Sequence, residues 1–175
     1  MLHRADDLAK LTVLDADGRT IVLGSLWQDR TAILVFLRHF GCIHCRDHVV
    51  QLEKQIAQLR AKGAELYVIG NGSPSFIVGL REQTGWTGPV YTDPSLAVYK
   101  AAQLKRGVLR TFDPRGYGKA LRAMAGGQRQ GRTQGDPWQQ GGVLVVASDG
   151  GVVYQQASER AGDNATGDAI LAAIR

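Results

Sequence analysis

Cysteine is scarce in this chain: two occur in 175 residues, at positions 42 and 45. No second Cys/His cluster stands elsewhere to complete the four ligands that zinc normally takes. Arg46, not histidine, follows the second cysteine, which excludes a haem attachment. A structural disulfide between the two would close a tiny loop and add little by chain entropy. Long apolar runs are also missing, since none approaches the ~18–20 residues of a membrane span. The first residues, Met1 to Asp7, carry acids early and contain no apolar signal region. These absences give the expectation of a cytoplasmic protein in a reducing compartment, where a CxxC serves chemistry more often than structure. Internal repeats and Pro/Ser-rich linkers are absent as well. With 44% apolar and 21% charged residues, the composition suits one globular domain over 1–175.

What is present concentrates in one stretch, Ala32 to His48. It begins as a buried strand, passes Gly41, and delivers Cys42 and Cys45 to the first turn of a helix. Three of the four histidines (His39, His44 and His48) lie within ten residues of one another there. Positions i and i+3 share a helix face, so the two cysteines can close a disulfide across one turn. A helix N-terminus presents unpaired N–H groups and partial positive charge, which favour thiolate over thiol. Arg46 sits four residues after Cys42, and Arg38 and the histidines add potential positive charge. Candidate site residues are therefore Cys42, Cys45, Arg46 and His39, acting as a redox-active dithiol. Two competing readings remain open. One is a metal-binding module on Cys42, Cys45, His44 and His48. The other is a partner- or nucleic-acid-binding protein working through residues 100–142.

That last segment is compositionally distinct. Nine Lys/Arg between Lys100 and Arg132 face only Asp113 and Asp136, so it carries +7 while the rest of the chain carries −2. Its glycines are dense and its periodicity poor, which reads as a surface excursion over about 103–141, with one helix at Tyr117–Ala125. Phe112, Tyr117 and Trp138 are too scattered to form the stacking platform that nucleic acid requires. A lid over the thiols, a docking surface or a solvated loop fits the segment better.

Elsewhere the pattern gives a regular series of elements. Leu11–Leu23 alternates about an Asp17-Gly18 turn, a hairpin signal. Thr31–Leu37 reads as a strand covered on both faces. Cys42–Lys62 reads as one long helix stopped by Gly63. Ala64–Gly70 is the next strand, completing a right-handed parallel βαβ unit. Ser73 as N-cap and Pro74 at the first helical position start a helix reaching Thr84. The glycines at 70 and 72 lack a third partner and a following lysine, so they mark a turn rather than a phosphate cradle. Val90–Thr92 is a short strand, and Asp93-Pro94-Ser95 caps a helix from Leu96 to Ala102. Gly142–Ala147 and Val152–Gln156 form a second hairpin, and Thr166–Arg175 is a terminal helix.

A βαβ half carrying the CxxC, followed by a ββα half, gives a thioredoxin-like α/β fold. It has three α/β/α layers, a mixed central sheet and an N-terminal β-hairpin. The run Phe36-Leu-Arg-His-Phe-Gly-Cys42-Ile-His-Cys45-Arg resembles the signature of peroxiredoxin-like proteins of the AhpC/TSA superfamily. It is similar above all to the peroxiredoxin-like 2 and prostamide synthase-like branch. Pro89 to Pro94, Gln140 to Val146 and Asp149-Gly150 also occupy the positions of that pattern. The resemblance implies reduction of a peroxide or disulfide by one cysteine, resolution as a Cys42–Cys45 disulfide, and recycling by a thioredoxin- or glutathione-type donor. It implies no cofactor and no membrane, and it suggests a homodimer. Typical peroxiredoxins place a threonine three residues before the attacking cysteine and hold the thiolate with an arginine near the later strand. Here His39 precedes Cys42 by three, Cys42 precedes Cys45 by three, and Gln140-Gly141-Gly142 precedes the strand. Arg160 or a residue of the excursion is then the expected thiolate-holding arginine. Gly142 also occupies the place where the minimal thioredoxin fold has a cis-proline facing the thiols. Thioredoxin logic makes Cys42 the nucleophile and peroxiredoxin alignment makes it Cys45; helix-terminus electrostatics favour Cys42.

Overall fold

The computed structural model describes residues 1–107 and 133–174, together with Arg122, Met124, Ala125 and Gly127. The helix expected at Tyr117–Ala125 therefore lies largely outside the described residues. Seven strands form one mixed sheet in the order β2-β1-β5-β4-β3-β6-β7. They are β1 (Thr12–Leu14), β2 (Thr20–Val22), β3 (Thr31–Phe36), β4 (Ala64–Gly70), β5 (Val90–Thr92), β6 (Gly142–Val146) and β7 (Val152–Ala157). The first hairpin pairs Val13 with Ile21, and Asp15 Oδ1 accepts the N–H groups of Asp17 and Arg19 at its turn.

Strand β3 runs parallel to β4 and antiparallel to β6, so it lies in the interior of the sheet with partners on both edges. Its residues alternate between two apolar cores because successive side chains point to opposite faces. Ile33 and Val35 join Val49, Leu52, Ile77 and Ile170 on one face. Leu34 and Phe36 join Leu8, Trp27, Val98 and Tyr99 on the other. The helices supplying these layers are α1 (Asp6–Ala9), a 3-10 turn (Leu23–Trp27), α2 (Ile43–Glu53), α3 (Ile56–Ala61), α4 (Phe76–Thr84), α5 (Ala97–Ala101) and α6 (Gly167–Ala173). The three-layer thioredoxin-like arrangement expected from the sequence is thus observed.

Two local expectations need correction. The segment from Cys42 to Lys62 is two helices, not one. At the break the Gln55 N–H bonds Leu52 O three residues back, at 3.0 Å, which tightens the turn. The Gln55 side chain reaches Asp168 at 2.8 Å, so the break is tied to α6. Gly63 does end the second helix, in a left-handed conformation with φ of 73°. Helix α4 begins at Phe76 with Ser75 at its N-cap, instead of being capped by Ser73. The Phe76 and Ile77 N–H groups bond Ser73 O and Pro74 O, so Pro74 lies in a turn ahead of the helix.

Candidate active site

The parallel strand β3 ends at Phe36, and the chain must turn there to enter α2. A bond from Cys42 N–H to His39 O, at 3.1 Å, closes that turn, and Arg46 N–H to Cys42 O, also 3.1 Å, opens the helix. Cys42 is thereby the N-cap, in an extended conformation, and Cys45 lies in the first helical turn. Both cysteines are reduced and buried, Cys42 at 2% exposure and Cys45 at 5%. The helix placement read from the spacing is correct, and the two sulfurs come together.

Their surroundings are unequal. The backbone N–H of Arg38 donates to Cys45 Sγ at 3.3 Å, and Arg38 Nη1 lies 3.9 Å from Cys42 Sγ. A hydrogen bond from the Cys45 thiol holds the Cys42 thiol down to about 6. The Arg38 charge and the His44 and Cys45 N–H groups help, outweighing the opposing effect of burial. Burial and the Cys42 thiolate push the Cys45 thiol well above its ordinary value. Cys42 is the readily ionised sulfur, and Cys45 stays a hydrogen-bond donor.

The other expected site residues take different roles. Arg46 is 1% exposed, and its Nε donates to Phe40 O at 3.0 Å, clasping the loop that leads into Cys42. Both cysteines lie within electrostatic reach of its guanidinium. The expectation that the histidines supply positive charge is corrected for two of them. Burial, followed by the charges of Arg38 and Arg46, holds His39 down to about 4, and its buried Nδ1 has no hydrogen-bond partner. Burial likewise holds His48 at about 4, with its Nε2 donating to Ala165 O at 2.8 Å. Both rings are neutral near pH 7. His44 O accepts from Asn164 Nδ2 at 3.1 Å. Among the described residues no three His, Cys, Asp or Glu side chains converge to hold a metal ion.

Arg38, four residues ahead of Cys42, brings its guanidinium to the Cys42 sulfur, while Arg110, Arg115, Arg129 and Arg132 of the excursion lie outside the described residues. Sequence reasoning named Arg38 only as nearby charge, although its place in the short loop after β3 was the available signal. The excursion does contribute, through main-chain groups. Phe40 N–H donates to Gln134 O at 3.2 Å and Arg38 Nη2 to Pro137 O at 3.1 Å. Asn71 Nδ2 donates to Arg38 O at 2.6 Å. The buried Tyr99 hydroxyl lies 2.8 Å from Leu37 O and 2.9 Å from Ile69 O. No periodicity or motif marks Asn71 or Tyr99.

Fold and dithiol together define a thioredoxin-like α/β protein with a buried CxxC at a helix N-terminus. A family model described as AhpC/TSA antioxidant enzyme matches residues 51–160. The chain is 36% identical over 178 residues to the Thioredoxin-like protein AAED1, chloroplastic, of Arabidopsis thaliana, covering 97% of this chain and 72% of that one. It is 34% identical over 151 residues to Peroxiredoxin-like 2C of Mus musculus, covering 79% of this chain and 66% of that one. It is 35% identical over 158 residues to the Prostamide/prostaglandin F synthase of Aquarana catesbeiana, covering 82% and 75%. The chain belongs to the AhpC/TSA family, in its peroxiredoxin-like oxidoreductase branch. In fold it is similar to Peroxidoxin BcpB from Mycobacterium tuberculosis, with a TM-score of 0.72 at 18% identity over 100% of this chain and 97% of that one. Reduced Prx3 from Vibrio vulnificus, crystallised with hydrogen peroxide, gives 0.69 at 15% identity over 100% of both chains. No described helix is long and apolar enough to cross a membrane.

Proposed function

We propose that the protein is a thiol peroxidase in which Cys42 attacks and Cys45 resolves. The observation that carries this reading is the unequal pair: Arg38 Nη1 at 3.9 Å from Cys42 Sγ, with Cys45 donating to the same sulfur. The Cys42 thiolate attacks one peroxide oxygen, the O–O bond breaks, and the leaving oxygen departs as water or an alcohol after taking a proton. Cys42 is then a sulfenic acid. The Cys45 thiol attacks that sulfur and expels water, giving the Cys42–Cys45 disulfide. Two external thiols, from a thioredoxin- or glutathione-type donor, return the dithiol and leave as a disulfide.

Burial of both sulfurs favours a peroxide over a protein disulfide as oxidant, because exchange requires a large disulfide to approach in line with the sulfur. A cytoplasmic site of action and a homodimer belong to the same proposal. The plant relative's name places that protein in the chloroplast. Metal binding on Cys42, Cys45, His44 and His48 is disfavoured, since among the described residues no three His, Cys, Asp or Glu side chains converge on one point.

The test is mass analysis after one equivalent of hydrogen peroxide. Wild type should lose two mass units as it forms the disulfide, Cys45→Ser should stop at a trappable sulfenate, and Cys42→Ser should not react. Rapid oxidation of Cys42→Ser together with an inert Cys45→Ser would reverse the roles and sink the assignment.

A further inference from the structure

Asn71 immediately follows β4 and is 4% exposed. Its amide joins three segments that are distant in sequence. Nδ2 donates to Arg38 O at 2.6 Å and to Asp136 O at 3.4 Å, while Oδ1 accepts from Asp136 N–H at 3.0 Å. Gly135 is fitted to this amide: its φ is 118°, and a Cβ there would stand 1.9 Å from Asn71 Oδ1. The residues that follow are held in turn. Asp136 Oδ2 accepts from Arg106 Nε at 2.8 Å, and Asp136 Oδ1 accepts from Trp138 N–H at 2.8 Å. Pro137 O then receives Arg38 Nη2 at 3.1 Å, while Arg38 Nη1 reaches the Cys42 sulfur at 3.9 Å.

The consequence is mechanical. An arginine side chain has many rotamers, and a guanidinium stays beside one sulfur only if both of its ends are fixed. Asn71 fixes the main-chain end directly, through Arg38 O. It fixes the guanidinium end indirectly, because the carbonyl that receives Nη2 belongs to the residue after Asp136. We propose that Asn71 is a positioning residue, which holds the Arg38 guanidinium against Cys42 by clamping Asp136–Pro137 to the Arg38 main chain. The proposal rests on the reading of Cys42 as the attacking thiolate.

Other charged or titratable groups face the same place. His39 comes from the loop after β3, Cys45 and Arg46 from α2, and Tyr99, near Cys45, from α5. Asp136 stands on the clamped segment, bonded to Arg106. Asn71 touches neither sulfur and is uncharged, so its removal acts on Cys42 through the placement of Arg38. A role in packing alone would change stability without moving the titration of the thiol.

The experiment is alkylation of the reduced full-length protein by iodoacetamide, with the rate at Cys42 followed by peptide mass across pH. In Asn71→Ala the half-maximal pH should rise by about one unit, with the plateau rate at high pH retained. Arg38→Ala should shift the profile in the same direction. An Asn71→Ala profile that superposes on wild type while Arg38→Ala shifts would overturn the proposal and leave Asn71 structural. If Arg38→Ala does not shift either, the electrostatic reading of the site fails, and the proposal fails with it. Should Asn71→Ala not fold, Gly135→Ala removes no polar group but forces the Asn71 amide and the clamped segment apart. It should raise the half-maximal pH as well, and an unmoved profile there also overturns the proposal.

Discussion

The Arg38 guanidinium and the Cys42 sulfur are paired across a turn of four residues, with Nη1 3.9 Å from Sγ. The same residue offers its backbone N–H to Cys45, so one arginine serves both sulfurs with different parts of itself. The charge falls on the cysteine at the helix N-cap and the neutral donor on the cysteine inside the first turn. Charge and helix terminus therefore act on the same sulfur, and a closed disulfide would join the two atoms that this one residue already holds.

The first prediction concerns that pair. Peroxide consumption by wild type should rise through about pH 6 and level off above pH 7, as the Cys42 thiol ionises. Arg38→Ala removes a charge that favours the thiolate, so the midpoint should move upward and activity at pH 6 should fall about fivefold for the first unit moved and about tenfold for each further unit. Arg38→Lys should recover only part of the loss, because one ammonium cannot reach both the sulfur and Pro137 O. Stopped-flow rates against pH decide it; a midpoint unchanged in Arg38→Ala would sink this account of the thiolate.

Much of this was legible in the chain itself. Strand β4 and the short β5 fall at the residues their apolar runs mark, and β3 ends within one residue of its expected end. Strand alternation and buried runs are local signals, and they survive folding. The helix break at Gln55 was not legible, because it depends on a side chain meeting Asp168, 113 residues away. The site divided in the same manner. Cys42 and Cys45 were marked by spacing, whereas Arg38 gained its role from a carbonyl at Pro137 and from the Asn71 clamp, both long-range. The histidines misled because sequence shows how many there are and not how deeply they lie. Burial decides their charge.

The second prediction concerns the floor beneath the dithiol loop. A Cβ on Gly70 would stand 2.1 Å from the Phe40 ring, and Phe40 is fully buried. The ring cannot swing away cheaply, since Phe40 O is held by Arg46 and Phe40 N–H by Gln134 O. Gly70→Ala should therefore destabilise the fold by about 1–3 kcal/mol, the usual cost of overpacking. Because the displaced residue lies two before Cys42, thiol reactivity at pH 7 should fall as well. Urea unfolding and alkylation rates read the two effects, and wild-type values for both would show that the ring and backbone yield freely.

The third prediction concerns acid. His48 is buried with its Nε2 proton on Ala165 O, and burial holds its ring down to about 4; His39 is held similarly low. In the unfolded chain both rings titrate near 6.5. Between these values the unfolded state binds protons that the native state refuses. The stability these rings contribute is thus complete above pH 6.5 and is lost as pH falls toward 4. The slope approaches about 1.4 kcal/mol per pH unit for each histidine. Cys42, with its native value near 6, loses stability in the same direction at higher pH, so the window from pH 6 to 4.5 isolates the histidines best. Across that window His48→Gln should roughly halve the part of the slope carried by the two rings, whatever it costs at pH 7. The comparison is of slopes, measured by urea unfolding at closely spaced pH. A variant as steep as wild type would mean that His48 takes up its proton in the folded protein near 6.5.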